Sequence, residues 1–341
     1  TGEAIWQAKK KCPGLIVVLP DYEKYHMFSH RVRQLFLEYT DLVEPFGLDE
    51  AWLDVTGSQK LFGDGKTIAD TIRKRIRDEL GITASVGVSD NKIFAKLGSD
   101  YKKPDATTCI TKQNKKQIVD PLPVSALLNV GRATAVTLHG MGIRTIGDLS
   151  NADRTILSKR LGKAGDMLWT YANGLYPSEV RPYDYHEDNK SFGHTVTPPK
   201  DLTDIHQIRP IFYILTQDIC CQMRAQNVLC RKVAIVYRDS KLRWQSRQCG
   251  LDRPSENVKE IAEKGIGLLG KSYDFALPWR SVGIRTMDFV KKEEHLQMSL
   301  FVDEVNKEKD HIIECTMETI NNRFGKDCIV RCIALEGKDY E

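Results

Sequence analysis

No run of about 18 consecutive apolar residues occurs in this chain, so no transmembrane helix is expected. The opening TGEAIWQAKKKCPG has no apolar h-region and does not read as a secretory signal peptide. Nine cysteines are scattered at 12, 109, 220, 221, 230, 249, 315, 328 and 332 without a single CxxC pair. Cys328 and Cys332 have no second ligand pair at zinc-finger spacing, so reduced thiols fit better than a zinc or disulfide framework. The chain starts at Thr1 rather than Met, so a segment upstream is expected. An excess of one charge is also missing, since the formal net charge is only +4.

What is present is ordinary for a globular protein: 341 residues, 41% hydrophobic and 28% charged, room for two or three domains. The charge is uneven along the chain. Residues 190–292 hold 18 Lys/Arg against 10 Asp/Glu, and residues 303–341 hold 6 against 10. A basic segment of that kind suits a polyanion, although a solvated surface would look the same.

Periodicity suggests the organisation. LIVVLP, 15–20, reads as a buried strand, and 22–40 and 66–80 as amphipathic helices, the second closed by Gly81. A strand pair is expected around 42–56, a strand over 82–89 and a short helix over 91–104. Residues 118–178 look all-helical, 179–189 read as a linker, and strands and a helix return after 190. Trp244 and Trp279 read as core. HIIECTMETINNRFGKDCIV reads as one amphipathic helix stopped at Gly325, followed by a short apolar stretch.

One stretch conflicts with its surroundings. GLDEAWLDV, 47–55, places Asp49 and Glu50 among Phe46, Leu48, Trp52, Leu53 and Val55. Carboxylates in an apolar segment cost desolvation unless a cation or hydrogen bonds offset it. Adjacent strand residues point to opposite faces, so the two can share a metal only if the backbone bends. On spacing alone, one would face solvent and the other accept a hydrogen bond.

GLDEAWLDV followed by ITASVGVSDNKIFAKLGSDYKKP resembles the palm of the Y-family translesion DNA polymerases. That family shows S-I-D-E-A-Y-L-D and then T-x-S-x-G-[IV]-[SA]-x-N-K-x-x-A-K-x-A-[SA]-x-x-x-K-P. The resemblance covers about residues 1–302. It implies a multidomain α+β fold: the end of the fingers and start of the palm (1–21), an α+β palm (22–117) and a helical thumb with a helix-hairpin-helix (118–178). A linker (179–189), an α+β little finger (190–294) and a tail (295–341) follow. It implies nucleotidyl transfer from a deoxynucleoside triphosphate to a primer 3′-hydroxyl in DNA repair, in the bacterial cytoplasm, by a monomer. Asp49 and Glu50 would be catalytic and would help hold two Mg²⁺ ions, and Lys103 would bind the triphosphate.

The family also places a metal-binding Asp in a D-x-D-x-F-[FY] strand, with a steric gate and a Tyr and an Arg in the fingers. TGEAIWQAKKKCP matches only the end of those fingers, so this chain by itself is expected to polymerise poorly. Gly47 replaces the usual Ser and Trp52 the usual Tyr. NVGRATAVTLHGMGI resembles a helix-hairpin-helix whose backbone around Gly131, Arg132 and Ala133 holds a DNA phosphate, with Asn129 able to adopt the left-handed conformation. In the little finger, Arg238, Lys241, Arg243, Arg247, Arg280 and Arg285 are candidate phosphate contacts, a subset of which alternation could place on one face. QMSLF, 297–301, resembles the peptide that docks bacterial polymerases on the sliding clamp, through Gln297, Ser299, Leu300 and Phe301. A second reading stays open: a non-catalytic DNA- and clamp-binding protein on a polymerase scaffold. A nuclease reading lacks the further acidic residues or His it would need.

Overall fold

The computed structural model describes residues 2–177, 179–185, 187–270, 277–292, 304–325 and 328–335. The chain divides into two units, Thr1–His186 and Glu187–Glu341.

In the first unit, α1 (Ile5–Lys11) precedes α2 (Tyr22–Leu37), which starts where the Asp21 side chain accepts the Lys24 N–H. Strands β1 (Val43–Pro45) and β2 (Ala51–Leu53) form an antiparallel hairpin with Val43 opposite Leu53. Helix α3 (Gly65–Leu80) is capped by Asp64 and ends at Gly81, whose φ of 69° is the left-handed conformation that glycine adopts without strain. Its Ile68, Ile72 and Ile76 recur every four residues, so they form one stripe, which packs against Leu35 and Tyr39.

Strand β3 (Val86–Val88) runs parallel to β4 (Thr107–Cys109), and α4 (Lys92–Tyr101) makes the crossover. The helix lies directly on the strand. A Cβ on Gly87 would sit 1.8 Å from the Ala95 carbonyl oxygen, so only glycine allows this approach. The core then continues from Ile93, Phe94 and Leu97 into α5 (Arg132–Gly140), α6 (Ile146–Asn151), α7 (Arg154–Leu161) and α8 (Lys163–Ala172), through Leu138, Leu149, Leu157 and Leu168.

One expected element is overturned. Residues 15–20 are not a buried strand; Ile16 is 84% and Leu19 91% exposed, and no described strand pairs with them. Their β-branched composition suits a sheet, but a strand needs a ladder partner.

The second unit is a four-stranded sheet in the order β5–β8–β6–β7, wholly antiparallel: β5 (Ser191–Val196), β6 (Val228–Asp239), β7 (Trp244–Ser255) and β8 (Trp279–Lys291). Helices α9 (Ile205–Ala225) and α10 (Val258–Gly270) cover one face, where Phe212, Ile219 and Ile261 meet Ile235, Val282 and Ile284. The other face is open: Ser191, Gly193, Lys232, Ser246, Gln248 and Arg285 are all exposed. A further helix, α11 (Glu304–Phe324), is tied to α9 by charge. Arg224, buried to 8% side-chain exposure, pairs with Glu318 and, at 3.4 Å, with Glu314, which Arg331 also holds at 2.5 Å. Among the described residues no helix is long and apolar enough to cross a membrane.

Candidate functional site

Asp49 and Glu50 do not lie in the middle of a strand. They sit in the tight turn between β1 and β2, closed by the Phe46 N–H donating to the Glu50 carbonyl at 2.8 Å. Gly47 turns the chain with φ 78°, a conformation costly for other residues. Helix α2 braces the turn: Arg33 Nη2 donates to the Gly47 carbonyl at 2.7 Å, and Ser29 Oγ donates to the Leu48 carbonyl. This bend is what the paired carboxylates need to escape the strand alternation.

The environments of the two carboxylates differ. Asp49 is exposed. Glu50 accepts from Lys96 Nζ at Oε1, 3.0 Å away, while its Oε2 is buried with no hydrogen-bond partner. A buried carboxylate oxygen without a donor is costly, and a cation is the usual remedy. Lys96 also bonds Asp100 Oδ2 at 2.8 Å, and Asp100 Oδ1 pairs with Lys103 Nζ at 2.6 Å. A ladder Glu50–Lys96–Asp100–Lys103 therefore runs along α4 and just past its end. Burial works to lower the Lys96 ammonium's pKa, but its bonds to Asp100 and Glu50 outweigh that and raise it. Burial likewise raises the Asp100 carboxyl, and Lys103 and Lys96 overcome it and bring it below the usual range.

A second ion pair fixes the same region. Lys92 Nζ lies 2.5 Å from Glu44 Oε2, and Trp52 Nε1 donates to the Lys92 carbonyl at 3.1 Å, locking β2 to the start of α4. Asp49, Glu50, Lys96 and Lys103 all line one cleft of about 960 Å³. Strands β2 and β3 both border it, and Ile68 and Ile72 contribute to its lining. Among the described residues no group of three or more His, Cys, Asp or Glu could hold a metal ion. Two carboxylates still fit a Mg²⁺ site of the kind that takes one or two carboxylates and completes its shell with substrate phosphates and water.

Asn129 has φ 69°, and Gly131 is the N-cap of α5, with no side chain capping the helix. The backbone N–H groups of the first turn are therefore open to an anion, beside exposed Arg132.

In the second unit the six basic candidates separate. Strand register puts Arg238 and Arg285 on the open face and Arg247, opposite Ile235, on the helix-bearing side. Arg243 pairs with Asp239 at 2.8 Å, Arg280 Nη1 donates to the Pro198 carbonyl at 2.7 Å, and Lys241 is exposed in the β6–β7 turn. Trp279 is buried as expected, but Trp244 is not core: it is 55% exposed. It stands at the start of an edge strand, opposite Arg238 on the open face, so no helix covers it. QMSLF, 297–301, lies outside the described residues. Sequence reasoning missed Lys96 and Asp100, although their spacing of four and then three residues to Lys103 marks one face of a helix.

Residues 1–100 match the impB/mucB/samB family and residues 189–300 its C-terminal domain. The chain is 44% identical over 338 residues to a protein of Acetivibrio thermocellus named DNA polymerase IV, covering 99% of this chain and 85% of that one. It is 36% identical to the DNA polymerase IV of Clostridium kluyveri, covering 94% of this chain and 81% of that one. Among solved structures, a Y-family DNA polymerase chimera of Dbh and Dpo4 superposes with a TM-score of 0.70 at 25% identity, covering 84% of this chain and 82% of that one. The chain belongs to the impB/mucB/samB family, the Y-family DNA polymerases.

Proposed function

We propose that this chain, whose relatives are named DNA polymerase IV, is a DNA-directed polymerase of the translesion type, and that Asp49 and Glu50 are its metal-holding carboxylates. The observation that carries the assignment is Glu50: one oxygen held by Lys96, the other buried and bare, beside exposed Asp49 in a braced turn. When bound there, two Mg²⁺ ions would neutralise charge on the phosphorus oxygens and ease deprotonation of the primer hydroxyl.

The remaining work falls to the chain's own side chains. Lys103, 57% exposed and paired with Asp100, binds the triphosphate by exchanging that carboxylate for phosphate oxygens. Lys96 holds Glu50 in one rotamer. The first turn of α5, at Gly131, Arg132 and Ala133, takes a DNA phosphate without reading sequence. Arg238 and Arg285 on the open face, with Lys241, Arg243 and Arg280 around it, give the second unit its phosphate contacts, and Arg247 on the helix-bearing side stands apart from them. Gln297, Ser299, Leu300 and Phe301 dock on a sliding clamp, with the two apolar residues filling a pocket.

Template direction separates this reading from a non-catalytic DNA-binding scaffold. The protein from the complete reading frame, given a primer–template and each triphosphate singly, adds the nucleotide complementary to the template base. DNA binding without any incorporation would instead support the scaffold.

A further inference from the structure

Trp244 has no role in the reading above, yet its indole is the largest side chain on the open face of the second unit. It opens β7 opposite Arg238 of β6. The row beside it is low, because Ser246 and Gly283 flank Val236 there by register, and Ala234 and Gly193 continue the same face further along. Two of these must be small. A Cβ at Gly283 would lie 2.4 Å from Thr195 Oγ1, and one at Gly193 would lie 3.0 Å from Cβ of Arg285, whose side chain crosses above it.

The indole stands beside this row with a cation fixed against it. The Arg238 guanidinium lies 5.6 Å from the ring centroid and is held there by Nε donating to the Leu242 carbonyl at 3.0 Å. Arg238, Arg285 and Lys232 give the face its charge, and Lys232 pairs with Asp288 at 3.1 Å. An exposed aromatic with a clamped arginine, on a flat cationic floor, matches the chemistry of a single strand of nucleic acid: a π-face for a base and cations for its phosphates.

We propose that Trp244 is a stacking platform for an unpaired nucleobase of the DNA substrate, with Arg238 holding the adjacent phosphate and Arg285, four residues along and two strands across the same face, a phosphate further along the DNA strand. The proposal rests on the second unit binding DNA, and it adds the requirement for an unpaired base. In a duplex the base faces are stacked on one another and are not offered to an indole.

The test titrates the full chain with a short oligothymidylate and, separately, with a blunt hairpin duplex, following tryptophan fluorescence and the anisotropy of labelled DNA. The wild type is expected to be quenched by the single strand. Trp244→Phe should lose most of that quenching and keep its affinity within about twofold, since phenyl still stacks. Trp244→Ala should bind the single strand about tenfold more weakly and the duplex within about twofold. Equal weakening on both DNAs, or quenching that persists in Trp244→Phe, would overturn the platform and leave DNA binding standing. A wild type that binds neither DNA would overturn both. A melting temperature for Trp244→Ala close to the wild type separates lost stacking from lost folding.

Discussion

Lys96 and Glu50 lie 46 residues apart in sequence and 3.0 Å apart at Nζ and Oε1. The contact joins α4 to the turn before β2 and leaves the second oxygen of Glu50 buried without a partner. Lys96 is thus the residue that decides where the Glu50 carboxylate points.

Lys96→Met frees that carboxylate. Partners that orient a metal ligand are typically worth 10- to 100-fold in activity or metal affinity, so a loss of about that size in single-nucleotide insertion is expected. The Mg²⁺ concentration for half-maximal rate should shift, DNA affinity should stay within about twofold, and Lys96→Arg should recover part of the rate. An unchanged metal dependence in Lys96→Met would mean that Glu50 does not need its anchor.

The ladder also fixes a pH window. Asp100 has a lowered folded-state value, so its contribution is present above the unfolded carboxylate range, near about 3.9, and is lost as pH falls through the folded value. Lys96 has a raised folded-state value, so its contribution is present below about 10.4 and is lost as pH rises through the folded value. Asp100→Asn should lower the urea midpoint at neutral pH and match the wild type once both carboxyl states are protonated. Urea titrations at the two pH values check this.

Arg224 is buried against two carboxylates. Removing one partner of a buried pair leaves the other charge uncompensated, so Arg224→Met should cost about 3 kcal/mol of stability. Glu314→Gln should cost less, because burial already raises the Glu314 carboxyl pKa against the pull of Arg331 and Arg224. Thermal melts of the two variants should therefore differ in that order, and the reverse order would contradict the burial argument.

Gly87 carries the contact between β3 and α4. In Gly87→Ala the new methyl meets the Ala95 carbonyl oxygen and the Ser99 N–H, both backbone atoms, so the helix itself must move. A loss of about 3 kcal/mol or more is expected from such overpacking. Because Lys96 and Asp100 ride on α4, insertion should fall even where the variant stays folded. Circular dichroism melts and insertion rates together check both effects.

How legible all this was depends on range. Helix α3 was readable because three isoleucines recur at one period and Asp64 and Gly81 mark its ends. The return of strands and a helix after 190 is legible, but β5 and α9 within 191–225 are not marked individually; Pro210 falls inside α9 and breaks the local helix signal. LIVVLP shows the limit of propensity: the residues are strand formers, yet pairing depends on another segment. Trp244 was assigned to the core by residue type, and only the edge position of β7 explains its exposure. Asp49, Glu50 and Lys103 were named through the family motif. The hold of Lys96 on Glu50 is a tertiary contact that no local pattern prints.

The most direct test is primer extension by the protein from the complete reading frame, compared with Glu50→Gln and Asp49→Asn at equal DNA occupancy. Both changes keep the size of the side chain and remove its charge. The account predicts that insertion falls by orders of magnitude in each while the variants still bind primer–template and melt near the wild type. Wild-type insertion rates in Glu50→Gln would show that the bare, buried oxygen holds no catalytic metal.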